Sequence, residues 1–149
     1  MSIVEFIKKK PKAELHLHIE GTLEPDHMFV LAKRNNIQIP FNNISDVKKA
    51  YNFSNLESFL KIYYEGSKVL VKEQDFFELT WAYVLKCKED NVVHTEVFFD
   101  PQTHVHRGIS FDTVISGIYR ALKKANKEFG LSFKIIMCFL RHLDQESGL

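Results

Sequence analysis

The run Glu14-Leu15-His16-Leu17-His18-Ile19-Glu20-Gly21 carries the residue types and spacing that could do chemistry. On a strand, successive side chains point to opposite faces. Leu15, Leu17 and Ile19 then share one face, and Glu14, His16, His18 and Glu20 share the other. Two imidazoles two residues apart point the same way and can bind one divalent ion from adjacent positions. Gly21 ends the strand and puts both histidines at its C-terminal end, where α/β barrels and open α/β sheets place their chemistry. If both sheet faces are covered, the four polar groups need partners, because burial without them costs about 2–7 kcal/mol each. A metal would resolve that. An isolated His-x-His is a weak signal, and a surface strand bearing two solvated histidines is the other reading.

A second run shows the same inversion. His94, Glu96, Phe98 and Asp100 fall on one face, and Val93, Thr95, Val97 and Phe99 on the other. His94 and Glu96 lie back from the strand end and are expected to satisfy each other. Asp100, followed by Pro101, stands at the rim and is the better site candidate. After the third apolar run come Arg141 and His142, either of which could hydrogen-bond a metal ligand or cap a helix.

These residues must be positioned by regular elements. Three segments read as strands: Ala13 to Ile19, Asn91 to Phe99, and Ser132 to Leu140. The third is nearly all apolar, as in parallel sheets covered on both faces. Between them lie helical patterns. Pro25 opens a helix that stops at Asn35-Asn36. Asn55 caps one carrying Leu56, Phe59, Leu60 and Tyr63 on one stripe. Asp75 to Glu89 carries Phe76, Leu79, Tyr83 and Cys87. Ser110 or Asp112 opens a long helix that Gly130 ends. Strands alternating with helices predict right-handed crossovers and a parallel α/β sheet. The connection from Glu20 to Asn91 exceeds what a βαβ unit needs, so its surplus helices are expected to form a lid over the strand ends.

The 149 residues are 45% hydrophobic and 26% charged, enough for a real core. A formal charge of +1 argues against a nucleic-acid coat, which needs a strong basic excess. No stretch reads as a membrane span or a secretory signal. Cys87 and Cys138 form no paired motif and are expected to be buried thiols in a reducing cytoplasm. Lys8-Lys9-Lys10-Pro11-Lys12 reads as a solvated run or as a nuclear import tag. Oligomeric state is not legible.

Taken together, these residues resemble a known family. PKAELHLHIEGTL (Pro11 to Leu23) is similar to the N-terminal metal-binding signature of the adenosine/adenine deaminase family of the amidohydrolase superfamily. LESFLKIYYEG (Leu56 to Gly66) resembles the family's helix over the active site. EVFFDPQTHVHRGI (Glu96 to Ile109) and IIMCFLRHL (Ile135 to Leu143) resemble its second and third strands. HIEGTL and FFDPQ look like the adenine branch, where adenosine-specific members typically carry Asp at the position of Glu20. The resemblance implies the N-terminal part of a (β/α)8 barrel with a helical insertion after its first strand. It implies zinc held by His16 and His18, and water activated by that zinc attacking C6 of a purine to release ammonia. It implies substrate contact by Glu20 and Asp100, and an apolar gate of Leu56, Phe59, Leu60 and Tyr63. Ordinary helix packing is the other reading of those gate residues. The implied activity is conversion of adenine to hypoxanthine in purine salvage. Adenosine or an N6-substituted purine nucleotide is the alternative substrate, and a truncated non-catalytic chain is the alternative reading. The Pro-Cys-x-x-Cys element that the unrelated zinc deaminases pair with His-x-Glu does not occur.

The family pattern also includes a third histidine ligand, a catalytic glutamate in His-Ala-Gly-Glu, and a later aspartate pair, none of which occurs before Leu149. A barrel needs about 250 residues, whereas three strands are in hand. The chain by itself is therefore expected to bind zinc weakly and to release no ammonia from adenine.

Overall fold

The computed structural model describes residues 2–141 and 143. Strands β1 (Lys12–His18), β2 (Val92–Phe99) and β3 (Ser132–Met137) form one parallel sheet in that order. The register sets His18 beside Phe98 and Phe98 beside Ile136, so all three C-terminal strand ends emerge together. The helices are α1 (Ile3–Lys9), α2 (Pro25–Asn35), α3 (Ile44–Ala50), α4 (Leu56–Ser67), α5 (Glu73–Glu89), α6 (Pro101–Val105) and α7 (Phe111–Phe129). A 3-10 turn, Ile19–Thr22, follows β1.

The helix ends follow from local chemistry. Asn55 Oδ1 accepts the Ser58 N–H at 2.9 Å, and Ser110 Oγ accepts the Thr113 N–H at 3.2 Å. Gly130, at φ +75°, ends α7 in the left-handed conformation that costs glycine least. Helices α1, α3 and α6 are absent from the sequence reading. At five to seven residues each is too short to show an amphipathic period. α1 is held by a reciprocal cap between Ser2 and Glu5, and leaves Ile3, Val4, Phe6 and Ile7 exposed.

The core lies between the sheet and the α5–α7 pair. Val97 and Phe99 of β2 pack there with Phe76, Leu79 and Val84 of α5 and Val114, Ile118 and Leu122 of α7. Gly117 permits the helix contact, because a Cβ at that position would stand 2.4 Å from the Glu73 carbonyl oxygen. Asp75, wholly buried, ties α2 to α5. Its carboxylate accepts the Val71 and Lys72 N–H groups at 2.8 Å and the Asn35 amide at 2.7 Å, and it pairs with Arg34. Burial raises its pKa, but the Lys72 and Val71 amides with Arg34 and Asn35 outweigh this and hold it below the ordinary carboxylate range.

Three expectations change. β1 does not alternate cleanly: its pairing shifts by one residue between Glu14 and Leu17. That irregularity turns Glu14 away from the histidines, into an outer groove it shares with Leu17, Tyr83 and Cys87. The face carrying His16 is open rather than covered; His16 is exposed and the His18 side chain is 38% exposed. β3 ends at Met137, not Leu140, because its neighbour β2 ends at Phe99, and among the described residues the last ladder bond is Cys138 N–H to the Phe99 carbonyl. Cys138 is accordingly only partly buried, whereas Cys87 is buried, and both thiols are free. Among the described residues no helix is long and apolar enough to cross a membrane.

Candidate active site

The site is built where the strands end. His16 and His18 project from the end of β1 on one face, their ring centroids 5.6 Å apart. Phe98 of β2 lies against both, 4.5 Å from His16 and stacked at 5.5 Å on His18. The first residue after β2 is Asp100, whose carboxylate Oδ1 stands 3.6 Å from His18 Nδ1. Cys138, just past β3, completes the group: donor atoms of His18, Asp100 and Cys138 all lie within 4.8 Å of one another. Burial first, then the nearby carboxylates of Asp100 and Glu20, push the Cys138 thiol pKa up.

α4 lies over these strand ends, as the long β1–β2 connection predicts. Phe59, Leu60, Tyr63 and Tyr64 of α4 wall a cavity of about 880 Å³ with His16, His18, Phe98, Asp100 and Cys138. Leu56 does not join them. It is 70% exposed in the first turn of α4, one turn short of the cavity.

Glu20 occupies a different place from the one strand alternation gives it. The chain leaves the strand after His18, and the 3-10 turn carries the Glu20 carboxylate behind Asp100 and Tyr63, wholly out of solvent. There Oε1 accepts the Asp100 N–H at 2.9 Å and a contact from His104 Nε2 at 3.1 Å. The Tyr63 hydroxyl bridges the two carboxylates, donating to Asp100 Oδ2 at 2.6 Å and reaching Glu20 Oε2 at 3.2 Å. Burial, Glu20 and Asp100 together drive the Tyr63 pKa far above its ordinary value, so the hydroxyl keeps its proton.

His94 and Glu96 pair with each other at 3.7 Å, away from the site, as expected. The backbone N–H of Leu140, two residues beyond Cys138, donates to Gln102 Oε1 at 2.6 Å and holds the segment past β3 against α6. Arg141 lines the cavity; His142 lies outside the described residues. The sequence reading gives no site role to Tyr64, Cys138 or His104. His104 lies on α6, and Arg107 follows three residues later in the turn past the helix end.

The donor chemistry suits a borderline cation such as zinc, which takes imidazole nitrogen, carboxylate oxygen and thiolate sulfur. The convergence of His18, Asp100 and Cys138, with His16 on the same face, is the structural observation for that fit.

A parallel α/β sheet with a donor cluster and a walled cavity at its C-terminal strand ends has the architecture of a portion of an α/β barrel. Residues 11–148 match the family model described as adenosine deaminase, and the chain belongs to that family. It is 62% identical to an adenine deaminase of Psychrobacter cryohalolentis over 146 residues, 98% of this chain and 44% of the relative. It matches the crystal structure of an adenine deaminase from Arthrobacter aurescens at TM-score 0.89 and 43% identity, covering 93% of this chain and 42% of that one. An amidohydrolase from Burkholderia ambifaria, solved with bound Zn, shares the fold at TM-score 0.83 and 22% identity, over 99% of this chain and 41% of that one. The chain thus spans less than half the length of the relatives it matches.

Proposed function

We propose that this chain supplies the first part of a single barrel domain that removes the 6-amino group of adenine by hydrolysis, giving hypoxanthine and ammonia in purine salvage in the cytoplasm. The observation that carries the reading is the convergence of His16, His18 and Asp100 on one aromatic-walled cavity at the strand ends. The adenine deaminases among its relatives and the Zn-bound amidohydrolase of the same fold support it.

His16 and His18 would hold the zinc, with Asp100 and Cys138 within reach of His18. When bound, zinc supplies Lewis acidity and activates water as a nucleophile at neutral pH. The remaining chemistry belongs to the chain's own groups. Phe59, Leu60, Tyr63 and Phe98 offer flat apolar and aromatic surface on which a purine ring can stack and shed water. Asp100, at the cavity wall, offers a carboxylate acceptor to a purine N–H, and the Tyr63 hydroxyl holds that carboxylate in place. A polar pocket wall of this kind discriminates strongly, because a ligand lacking the matching donor desolvates the carboxylate without returning a hydrogen bond.

The test is an assay of the full-length protein containing this chain. Adenine, adenosine and adenosine monophosphate are offered separately, and ammonia and the deaminated base are measured. Adenine is expected to turn over at least about 100-fold faster in kcat/KM than the other two. Turnover confined to adenosine or the nucleotide would overturn the adenine assignment.

A further inference from the structure

The Asp100–Tyr63–Glu20 cluster is backed by two residues that the proposed chemistry leaves unused. His104, on α6, is wholly buried. Its ring stands edge-on to Phe76 at 4.8 Å, which fixes the plane of the imidazole. Its two nitrogens face groups of opposite kind. Arg107 contacts Nδ1 at 2.8 Å, and Glu20 Oε1 contacts Nε2 at 3.1 Å.

A guanidinium has only donors, so Nδ1 must accept. The imidazole is then neutral, with its hydrogen on Nε2, and donates that hydrogen to Glu20. Arg107 is itself locked in place. Its Nη1 donates to the Lys68 carbonyl at 3.0 Å, and the two Nη2 hydrogens are shared among His104 Nδ1 and the Ser67 and Leu70 carbonyls, at and just past the C-terminal end of α4. The path runs from the end of the lid helix through Arg107, His104 and Glu20 to the two groups at the cavity wall, the Asp100 backbone and the Tyr63 hydroxyl.

We propose that His104 and Arg107 are positioning residues that orient the Glu20 carboxylate and, through it, hold Asp100 and Tyr63 in register for the purine. This deepens the proposed function and rests on its reading of the cavity. The geometry favours positioning over mere support because both acceptor oxygens of Glu20 are spent on groups that line the cavity or follow it in the backbone. A buried carboxylate deprived of one donor turns toward another, and a wall built on its direction then shifts.

The experiment uses the full-length protein with His104→Leu, which removes both nitrogens, and His104→Gln, which keeps an N–H toward Glu20 and an oxygen toward Arg107. The Leu variant is expected to raise KM for adenine about 10-fold or more, with kcat within about threefold and zinc content unchanged. The Gln variant is expected to stay within about threefold of wild type in both constants. A folded Leu variant with wild-type KM, or a Gln variant as impaired as the Leu variant, would overturn the proposal. Nitrogen NMR of the wild-type imidazoles decides it independently of activity. One neutral imidazole with hydrogen on Nε2, whose signal disappears in the Gln variant, supports the relay. A His104 protonated on Nδ1 or on both nitrogens overturns it. If wild type does not deaminate adenine, the functional reading fails, and the NMR result still judges the relay.

Discussion

His18 is the residue on which the site converges. It shares a face with His16, stacks on Phe98, and stands within reach of both Asp100 and Cys138. Removing its imidazole takes a ligand from the proposed metal site and leaves the cavity walls in place. In the full-length protein, His18→Ala is expected to lower bound zinc to well below one per chain. Activity on adenine is expected to fall by at least about 100-fold, since catalytic zinc sites depend on every one of about three protein ligands. Metal analysis alongside the ammonia assay checks this, and full zinc occupancy in the variant would remove His18 from the ligand set. Glu20 shows how a single residue's place can escape a parity argument. Counting by twos puts it beside the histidines, but it belongs to a turn and serves from behind the wall.

Among the elements, the α5–α7 pair governs how firmly the sheet is held. Their contact depends on Gly117, where any side chain meets the Glu73 carbonyl and the Phe76 Cβ, at 2.4 and 2.7 Å from an added Cβ. Neither neighbour is the free end of a flexible side chain, so relief requires the helices to part. Gly117→Ala is expected to destabilise by about 1–3 kcal/mol despite the better helix propensity of alanine. Urea unfolding measures it, and an unchanged midpoint would show that the helices separate without cost. The lid, α4, was legible from Asn55 and the apolar stripe that follows it. Its first residue of that stripe, Leu56, nevertheless points to solvent, because the helix begins before it reaches the cavity.

For the whole molecule, the Asp75 cluster links the insertion after β1 to the helical layer behind the sheet. The folded pKa of Asp75 lies below its ordinary value, so its ionised form stabilises the fold. The sign is that of a depressed carboxylate: the contribution is complete above about pH 4 and disappears as pH falls through the folded pKa. Asp75→Asn is expected to cost about 2–4 kcal/mol at neutral pH, because Arg34 and the two backbone N–H groups lose a charged acceptor. The gap between variant and wild type should narrow below about pH 4. Urea unfolding at pH 7 and at pH 3.5 tests both statements, and a gap of constant size would mean that Asp75 charge is not its source.

What the sequence by itself determined is the three strands, four of the helices and where a candidate site lies. Period-two and period-3.6 patterns with capping residues suffice for three strands and four of the helices, and the His-x-His run with its flanking residues points to a metal at a strand end. These are local properties, written within a few residues. Only the tertiary structure decided the rest. It turned Glu14 out through a one-residue slip in pairing, buried Glu20 behind Tyr63, and brought Cys138 to His18 across more than a hundred residues of chain. It also joined His104 to Glu20. Such contacts depend on register and on the packing of distant segments, and no pattern within one segment encodes them.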